Sequence, residues 1–312
     1  MNIGKSEDFV HTHLHSDRSL LDGLSKPLDI ARKAKELGQK AIAITDHAVM
    51  AASIRLWKAC QPEKIKEGQP EAWSKQIKPL LGCEVYLSPT DDHTLREPVE
   101  GQPNYYHLTL LAKNVEGVRD LYELSSRAHL EGLYYKPRVS LPMIEEKKKN
   151  LIVLGACVRG PVMWSVYKED PTQARKWMGR LKDSFGEDFY IELMNHLLDW
   201  QTSLNKTVWE LCKEFGVSWV ATNDSHFTNR EDHYEHSILM AIQLKKTLKE
   251  MKEEGKMLYS EECYIKSQEE MEAVLPLEGI LRTREVAEKI DIQLVLDVQE
   301  FPEFRIKEDG IF

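Results

Sequence analysis

Short apolar runs alternate with amphipathic helical patterns along residues 9–222, and this alternation limits the possible folds more than any other feature. The run Ala41-Ile42-Ala43-Ile44 is typical of these segments, being continuously apolar and bounded by polar residues. Such runs indicate strands buried on both faces, and the helical segment after each strand provides the crossover that parallel pairing needs. The chain is therefore predicted to be an α/β protein, a barrel of roughly seven strands surrounded by helices.

The individual elements follow from the same periodicities. Strands are predicted at 9–14, 41–44, within 77–87, 107–112, 151–156, 189–193 and 218–222. Helices are predicted at 27–37 (with Ser25 as its N-cap), 51–60, 115–129, 162–168, 173–185 and 201–215, and surface loops at 61–75 and 89–103. The expected division is a barrel core over 1–230, a mostly helical continuation packed on it over 231–295, with one strand at 263–265, and an extended tail over 296–312.

Composition sets the cellular and chemical limits. The 312 residues are 42% hydrophobic, and their longest apolar stretch, near 151–158, is too short to span a bilayer. The polar first residues do not resemble a signal peptide, and the five scattered cysteines fit a reducing, cytoplasmic setting. The net charge of −9 argues against a dedicated duplex-binding module but not against a nuclease, because bound divalent ions reverse the local charge.

Metal-binding side chains recur where the predicted strands end. His13 and His15 are two residues apart on the first strand, and Asp224 and His226 have the same spacing after the last. Because a strand points residues i and i+2 to the same side, each pair would share one face. Chemistry in such barrels lies at the carboxyl ends of the strands, where these imidazoles and carboxylates would converge. A set of this kind is what a cluster of divalent metals requires.

Four further candidates have ordinary alternatives when each is taken alone. Asp22 could be a turn residue beside a glycine, and Cys157 could be a small core residue after a buried strand. Glu84 and His107 could be ordinary polar residues at strand ends. Taken alone, Glu84 and His107 favour neither interpretation, whereas Asp22 and Cys157 favour the turn and the core.

Three residues are candidates for supporting roles. Asp46 could orient the next residue, His47, as a hydrogen-bond acceptor, or it could cap the following helix. Arg138 and Arg159 are candidate contacts to a phosphate group, although surface salt bridges are an equal interpretation.

These motifs together resemble the polymerase-and-histidinol-phosphatase (PHP) domain, and more narrowly the PHP domains that begin bacterial DNA polymerase III alpha subunits. The resemblance covers nearly the whole chain, in FVHTHLHS at 9–16, SLLDG at 19–23, AITDH at 43–47, LGCEVY at 81–86, HLTLLAKN at 107–114, LYYKPR at 133–138, GAC at 155–157, YIEL at 190–193, VATNDSH at 220–226, AIQ at 241–243 and YIKS at 264–267. One departure is Ala48, at a position where the family often has glycine.

The resemblance implies a distorted (β/α)7 barrel with a metal centre. The ligand positions that it implies are His13, His15, Asp22, His47, Glu84, His107, Cys157, Asp224 and His226, all of which carry side chains that can bind a metal. So many ligands exceed what one ion uses, so two or three divalent ions are expected, and the mixed N, O and S donors admit Zn, Mn or Fe. His13, His15, Asp224 and His226 are the expected catalytic residues.

The predicted function is that of a metal-dependent phosphoester hydrolase related to DNA replication. The polymerase relatives imply a 3′–5′ exonuclease acting on single-stranded or frayed DNA ends, with polymerase or other replisome subunits as partners. Two alternatives stay open, a small-molecule phosphatase of the histidinol-phosphatase type and a non-catalytic structural module of a replicase. The paired-Asp motif of a polymerase palm is not found after residue 226, so we expect no polymerase activity from this chain, whether it stands alone or begins a longer or split replicase.

Overall fold

The computed structural model describes residues 9–62, 76–254, 259–296 and 298. The strands of this part are β1 (Ala41–Ile44), β2 (Lys78–Leu87), β3 (Tyr106–Ala112), β4 (Leu133–Tyr134), β5 (Lys136–Val139), β6 (Leu151–Leu154), β7 (Phe189–Leu193) and β8 (Ser218–Ala221). The helices are α1 (Pro27–Glu36), α2 (Ser53–Ala59), α3 (Val115–Leu130), α4 (Leu141–Glu145), α5 (Pro161–Tyr167), α6 (Pro171–Phe185), α7 (Asp199–Phe215), α8 (His233–Leu244), α9 (Leu248–Glu253), α10 (Gln268–Glu272) and α11 (Leu277–Glu288).

The strands form one curled sheet, and the segment 9–15 joins β1 to the chain just beyond β8. The hydrogen-bonded order is β4-β5-β2-β3-β6-β7-β8, with β1 also paired to β2. His11 bridges Ile42 of β1, while Leu14 bridges Ser225, just beyond β8. The backbone N–H of His15 donates to the carbonyl of Ser225 at 2.9 Å. The segment 9–15, β1, β2, β3, β6, β7 and β8 therefore succeed one another around a distorted barrel, which confirms the predicted α/β barrel.

One strand runs against the predicted direction. β3 pairs antiparallel with both β2 and β6, whereas β1–β2, β6–β7 and β7–β8 are parallel. The reason is the connection before it, because the loop 88–105 contains no helix to carry the chain back for parallel pairing. Since β3 is reversed, its first residues lie beside the last residues of β2, with His107 opposite Tyr86.

Three local predictions differ from the structure. Residues 9–14 form isolated bridges rather than a continuous strand, and Tyr264 makes a single bridge to Phe227 where a strand at 263–265 was expected. Helix α1 has Lys26 at its N-cap, and the hydroxyl of Ser25 lies 2.8 Å from that of Thr228 instead of capping the helix. Most of the predicted loop 61–75 and of the tail 296–312 lies outside the described residues.

Helices α10 and α11, near the carboxyl-terminal end of the described residues, contact the barrel. Gln268 of α10 accepts a hydrogen bond from the backbone N–H of Phe9 at 3.0 Å, and Thr283 of α11 accepts one from Val10 at 3.0 Å. Gly279 of α11 lies directly over the ring of Trp219 of β8. These contacts hold the first barrel segment in place, although a boundary at residue 230 stays a prediction. No described helix is long and apolar enough to cross a membrane.

Candidate metal centre

All nine predicted ligand residues lie at one end of the barrel. The end is built from the carboxyl ends of the parallel strands together with the start of the reversed β3. Three overlapping groups have donor atoms that all lie within 4.8 Å of one another, namely His13–His15–Glu84, His47–Glu84–His107 and His15–His47–His226. Because the groups share members, they form one continuous cluster.

Glu84 of β2 lies at the centre of the cluster. Its Oε1 is 2.9 Å from His107 Nδ1, and its Oε2 is 2.8 Å from His47 Nδ1 and 3.3 Å from His15 Nε2. The side chain of Glu84 is almost fully buried, so its charge cannot be solvated by water. The alternative interpretation of Glu84 as an ordinary polar residue at a strand end is therefore wrong, and reversal of β3 is what brings His107 to it.

Asp224 faces the two histidines of the first segment. Its Oδ1 is 3.3 Å from His13 Nε2 and 3.1 Å from His15 Nε2, and those two nitrogens are 3.2 Å apart. The i, i+2 spacing therefore does place both imidazoles on one face. This contact also links the first barrel segment to the last.

Asp22 and Cys157 complete the cluster at its rim. The Oδ2 of Asp22 is 2.9 Å from His47 Nε2 and 3.6 Å from His226 Nε2, and its Oδ1 accepts a hydrogen bond from Tyr259 at 2.9 Å. The Sγ of Cys157 lies 3.9 Å from a ring nitrogen of His107. Burial raises the pKa of the Cys157 thiol well above its usual value, and Glu84 and Asp224 raise it further.

Left-handed backbone conformations turn the chain sharply where it carries these ligands. Ala48, Ala156 and Asp224 have φ angles of 54°, 61° and 44°. Each residue is a ligand or directly adjoins one, and this region is costly for residues other than glycine or a short polar residue. The glycine that the family often has in place of Ala48 is explained by this conformation. Such strain is typical of functional sites.

The residues present fit a cluster of divalent cations. His47 Nδ1 lies 2.8 Å from Glu84 Oε2, and Asp224 Oδ1 lies 3.1 Å from His15 Nε2. Yet the first three of these atoms, and also His226 Nε2, are buried and make no hydrogen bond of good geometry. Buried polar atoms without a well-formed hydrogen bond are rare and need an explanation such as an ion. Imidazole, carboxylate and thiol donors are also the ligand types of Zn, Mn and Fe sites. Bound cations would supply partners to these four atoms.

The charges of the clustered side chains also favour the binding of divalent cations. Burial opposes protonation of His47, but the carboxylates of Glu84 and Asp22 outweigh it and raise its pKa to about 10. Burial likewise opposes protonation of His13, and Glu192, Asp224 and Glu84 outweigh it and raise its pKa. The buried carboxylates thus hold positive charge beside them. Metal ions would supply that charge in exchange for protons.

Glu192 is a supporting residue that the sequence interpretation missed. Its Oε2 accepts a hydrogen bond from His13 Nδ1 at 2.7 Å, and its Oε1 accepts one from the backbone N–H of Ala156 at 2.7 Å. A carboxylate that accepts from one ring nitrogen leaves the other nitrogen free as a ligand. The signal was a single acidic residue inside the buried strand β7, where a charge needs a partner.

Asp46 orients a histidine, but through a serine rather than directly. Its carboxylate accepts hydrogen bonds from the backbone N–H and hydroxyl of Ser16, both at 2.7 Å, and from the hydroxyl of Ser19 at 2.8 Å. The Ser19 hydroxyl lies 3.1 Å from His15 Nδ1 and accepts from the backbone N–H of His47 at 3.1 Å. Helix α2 begins at Ser53 with no side-chain cap, so the alternative capping role of Asp46 is not found.

The two predicted phosphate-binding arginines differ in their surroundings. The side chain of Arg138 is buried and donates to the backbone carbonyls of His93, Leu95 and Asn104, so it supports the loop 88–105 and the expected phosphate contact is wrong. Buried carbonyls without a donor are costly, which explains why this guanidinium is held inside. Arg159 instead lines the cavity of about 260 Å³ in front of the cluster.

Arg159 is free to meet an anion. Its guanidinium stacks on the rings of Tyr105, at 5.1 Å, and Trp164, at 5.7 Å. Among the described residues no carboxylate lies within ion-pair distance of it. The same cavity is lined by His47, His107, Cys157, Asp224 and His226. An anionic group in this cavity would therefore meet both the candidate ligands and Arg159.

Comparison with known proteins identifies the family. The family model described as "PHP domain" matches residues 11–196, which hold seven of the nine ligand positions. The chain belongs to the PHP-domain family. It is 37% identical over 251 residues to the DNA polymerase III subunit alpha of Aquifex aeolicus, covering 79% of this chain and 20% of that protein. It is 34% identical over 313 residues to the same subunit of Treponema pallidum, covering 97% of this chain and 25% of that protein.

This PHP chain therefore spans about a quarter of the length of the curated relatives that it matches. Among solved structures, PsfC from Pseudomonas syringae overlaps 70% of this chain and 76% of its own, with 12% sequence identity and a TM-score of 0.38. A protein of Bifidobacterium adolescentis, solved as a candidate metal-dependent phosphoesterase, overlaps 70% of this chain and 87% of its own, with 12% identity and a TM-score of 0.41.

Proposed function

We propose that this PHP domain is a metal-dependent phosphoesterase that removes nucleotides from 3′ ends of single-stranded or frayed DNA. The observation that carries the proposal is the convergence of buried imidazole, carboxylate and thiol donors beside a cavity that Arg159 also lines. The relation to DNA polymerase III alpha subunits supports DNA as the substrate and replication as the context.

Two or three divalent ions, of Zn, Mn or Fe, would be held by the nine clustered residues. Ions of this kind activate a water nucleophile and neutralise negative charge on a reacting phosphoryl group. Arg159, whose guanidinium stacks on two aromatic rings and lines the same cavity, binds the phosphate. Glu192 keeps the proton of His13 on Nδ1, so that Nε2 faces the cluster as a lone pair.

Further parts of the proposal concern the cellular context. We place the chain in the cytoplasm, as its five free cysteines suggest, and with polymerase or other replisome subunits as partners. The removal of nucleotides from the 3′ rather than the 5′ end follows from the family relation alone. Substrate polarity is therefore measured directly in the test.

The decisive experiment compares two substrates on one preparation. A 5′-labelled single-stranded oligonucleotide and a simple phosphomonoester are incubated side by side with Mn²⁺, Zn²⁺ or a chelator. Asp224→Asn is the test variant, because it removes a charge that contacts both His13 and His15. Asp188→Asn is the matched control, since that aspartate pairs with Lys113 and Lys289 away from the cluster.

We expect metal-dependent shortening of the oligonucleotide from its 3′ end. Asp224→Asn should lower the rate by more than about 100-fold, beyond the 10- to 100-fold typical of changes to outer-shell partners, and Asp188→Asn should leave it unchanged. Turnover of the monoester alone would contradict the nuclease in favour of a small-molecule phosphatase. Bound metal without turnover of either substrate would favour a structural replicase module.

A further inference from the structure

We propose that an aromatic and cationic ridge beside the metal centre is a stacking platform for single-stranded nucleic acid. The ridge consists of Arg159, Trp164, Tyr167, Lys168 and Trp200. This inference rests on the proposed function and deepens it, because it names the surface that would hold the strand while its end enters the cavity.

The ridge is continuous from ring to ring. The centroids of Trp164 and Tyr167 are 6.0 Å apart, and those of Tyr167 and Trp200 are 5.9 Å apart. At the cavity end, Arg159 stacks on Trp164 and on Tyr105, whose ring lies 5.9 Å from that of His107 in a parallel arrangement. The platform thus leads directly to a candidate metal ligand.

The ridge is open to solvent next to the cavity. Tyr167 is 49% exposed and Trp200 is 42% exposed, although both are large side chains that usually bury their rings. Trp200 also lines the cavity in front of the cluster together with Arg159, and it lines a second groove together with Tyr167. The two hollows therefore meet at the ring of Trp200.

The charge pattern of the ridge favours nucleic acid over a protein partner. Lys168 places its ammonium 4.9 Å from the centre of the Trp164 ring and 5.4 Å from that of Tyr167. Within the described part of the chain, neither Lys168 nor Arg159 has a carboxylate at ion-pair distance. Aromatic faces interleaved with unpaired cations are how proteins bind single strands without sequence preference.

The acidic character of the whole chain fits this mode of binding. With a net charge of −9, and with Glu169, Asp170 and Asp199 adjoining the ridge, attraction to phosphates alone would be weak. Base stacking is available to every nucleobase and does not depend on net charge. Two cations would give a shallow salt dependence, with a slope of log K against log salt of about −1.4 for a single strand.

The chain provides a matched control for Trp200. Trp209 lies on the same helix α7, is 40% exposed, and has the ammonium of Lys213 3.5 Å from its ring centre. It therefore has the same residue type, the same helix and a similar exposure, but it does not line the cavity. Substitution of either tryptophan removes a similar surface ring.

The test is fluorescence anisotropy of a labelled oligothymidylate of about 12 nucleotides, a length within the usual range of single-strand sites, measured with chelator so that no hydrolysis occurs. Trp200→Ala should raise the dissociation constant about five- to 100-fold, as the loss of one stacked base does, and Trp209→Ala should leave it unchanged. Lys168→Ala should reduce the salt slope by about 0.7. Far-UV circular dichroism verifies the fold of each variant.

The outcomes separate this inference from the proposed function. Equal affinities of Trp200→Ala and Trp209→Ala for the oligothymidylate would contradict the proposed role of the ridge. The absence of binding by the unaltered chain would contradict it as well, and either result would favour a protein partner for this surface. Metal-dependent hydrolysis of a small phosphodiester by the unaltered chain would then still support the phosphoesterase. If binding depends on Trp200 but the chain hydrolyses neither the oligonucleotide nor a small phosphoester, the result supports the stacking role of the ridge and contradicts the phosphoesterase.

Discussion

Glu192 decides which nitrogen of His13 faces the cluster. Its carboxylate is fully buried and has two acceptor contacts, one from His13 Nδ1 and one from the backbone N–H of Ala156. An acceptor at Nδ1 holds the ring proton there and leaves the lone pair of Nε2 for a metal. A description of the site therefore needs Glu192 in addition to the nine candidate ligands.

Glu192→Gln tests that role without changing the size of the side chain. If the amide oxygen keeps its bond to Ala156, the amide N–H faces His13 Nδ1 and favours the tautomer that points a proton at the cluster. We expect metal affinity, measured by competition with a chromophoric chelator, to fall about 10- to 100-fold. Glu187→Gln is the control, because the Glu187 side chain is 90% exposed just before β7. Equal affinities of the two variants would contradict the role.

Individual residues were predictable where a motif shows the ligand itself. The i, i+2 pairs gave His13, His15, Asp224 and His226 from spacing alone, whereas Asp22 and Cys157 needed the family resemblance because their neighbours in space are far away in sequence. Arg138 was misjudged because its carbonyl partners belong to a loop whose path no local pattern reveals.

At the level of elements, most barrel strands were predictable, whereas β4, β5 and the direction of β3 were not. Continuous apolar runs mark buried strands whichever way they run, so periodicity could not show that β3 is antiparallel. The absence of a helical pattern between β2 and β3 was the available signal. The reversal matters functionally, because it puts the first residues of β3, including His107, at the end of the barrel where the parallel strands finish.

The docking of α11 on β8 depends on a glycine. A Cβ built on Gly279 would lie 1.9 Å from an atom of the Trp219 ring, and that ring is buried. We expect Gly279→Ala to lower the free energy of unfolding by about 1–3 kcal/mol, as overpacking does, despite the better helix propensity of alanine. The measurement is urea denaturation monitored by tryptophan fluorescence.

Gly179→Ala in α6 is the matched control for that substitution. There the nearest atom to the new Cβ is in the ring of Phe215, at 3.4 Å, which is ordinary contact. We expect this variant to be stabilised by about 0.5–1 kcal/mol through reduced backbone entropy in the unfolded chain. Changes of the same sign and size in the free energy of unfolding of both variants would mean that α11 does not pack closely on Trp219.

At the scale of the whole molecule, the cluster of candidate ligands lies across the seam of the barrel. The seam is where the segment 9–15 meets the chain beyond β8, through Leu14 and Ser225, and each side carries candidate ligands. The His13 and His15 nitrogens lie 3.3 and 3.1 Å from Asp224 across this seam. Ions bound there would join the two ends of the barrel, which are more than two hundred residues apart in sequence.

Metal binding should therefore stabilise the whole fold. An ion present at about 100 times its dissociation constant adds about 2.7 kcal/mol, which corresponds to a rise in Tm of roughly 4 °C for a chain of 312 residues. We expect this rise with Mn²⁺ or Zn²⁺ in a thermal melt, its reversal by chelator, and its loss in Asp224→Asn. Hydrogen exchange should slow at residues 11–15 and 224–226 together, because the ions tie both sides of the seam. Slower exchange on one side alone, with an unchanged Tm, would show that metal binds without closing the barrel.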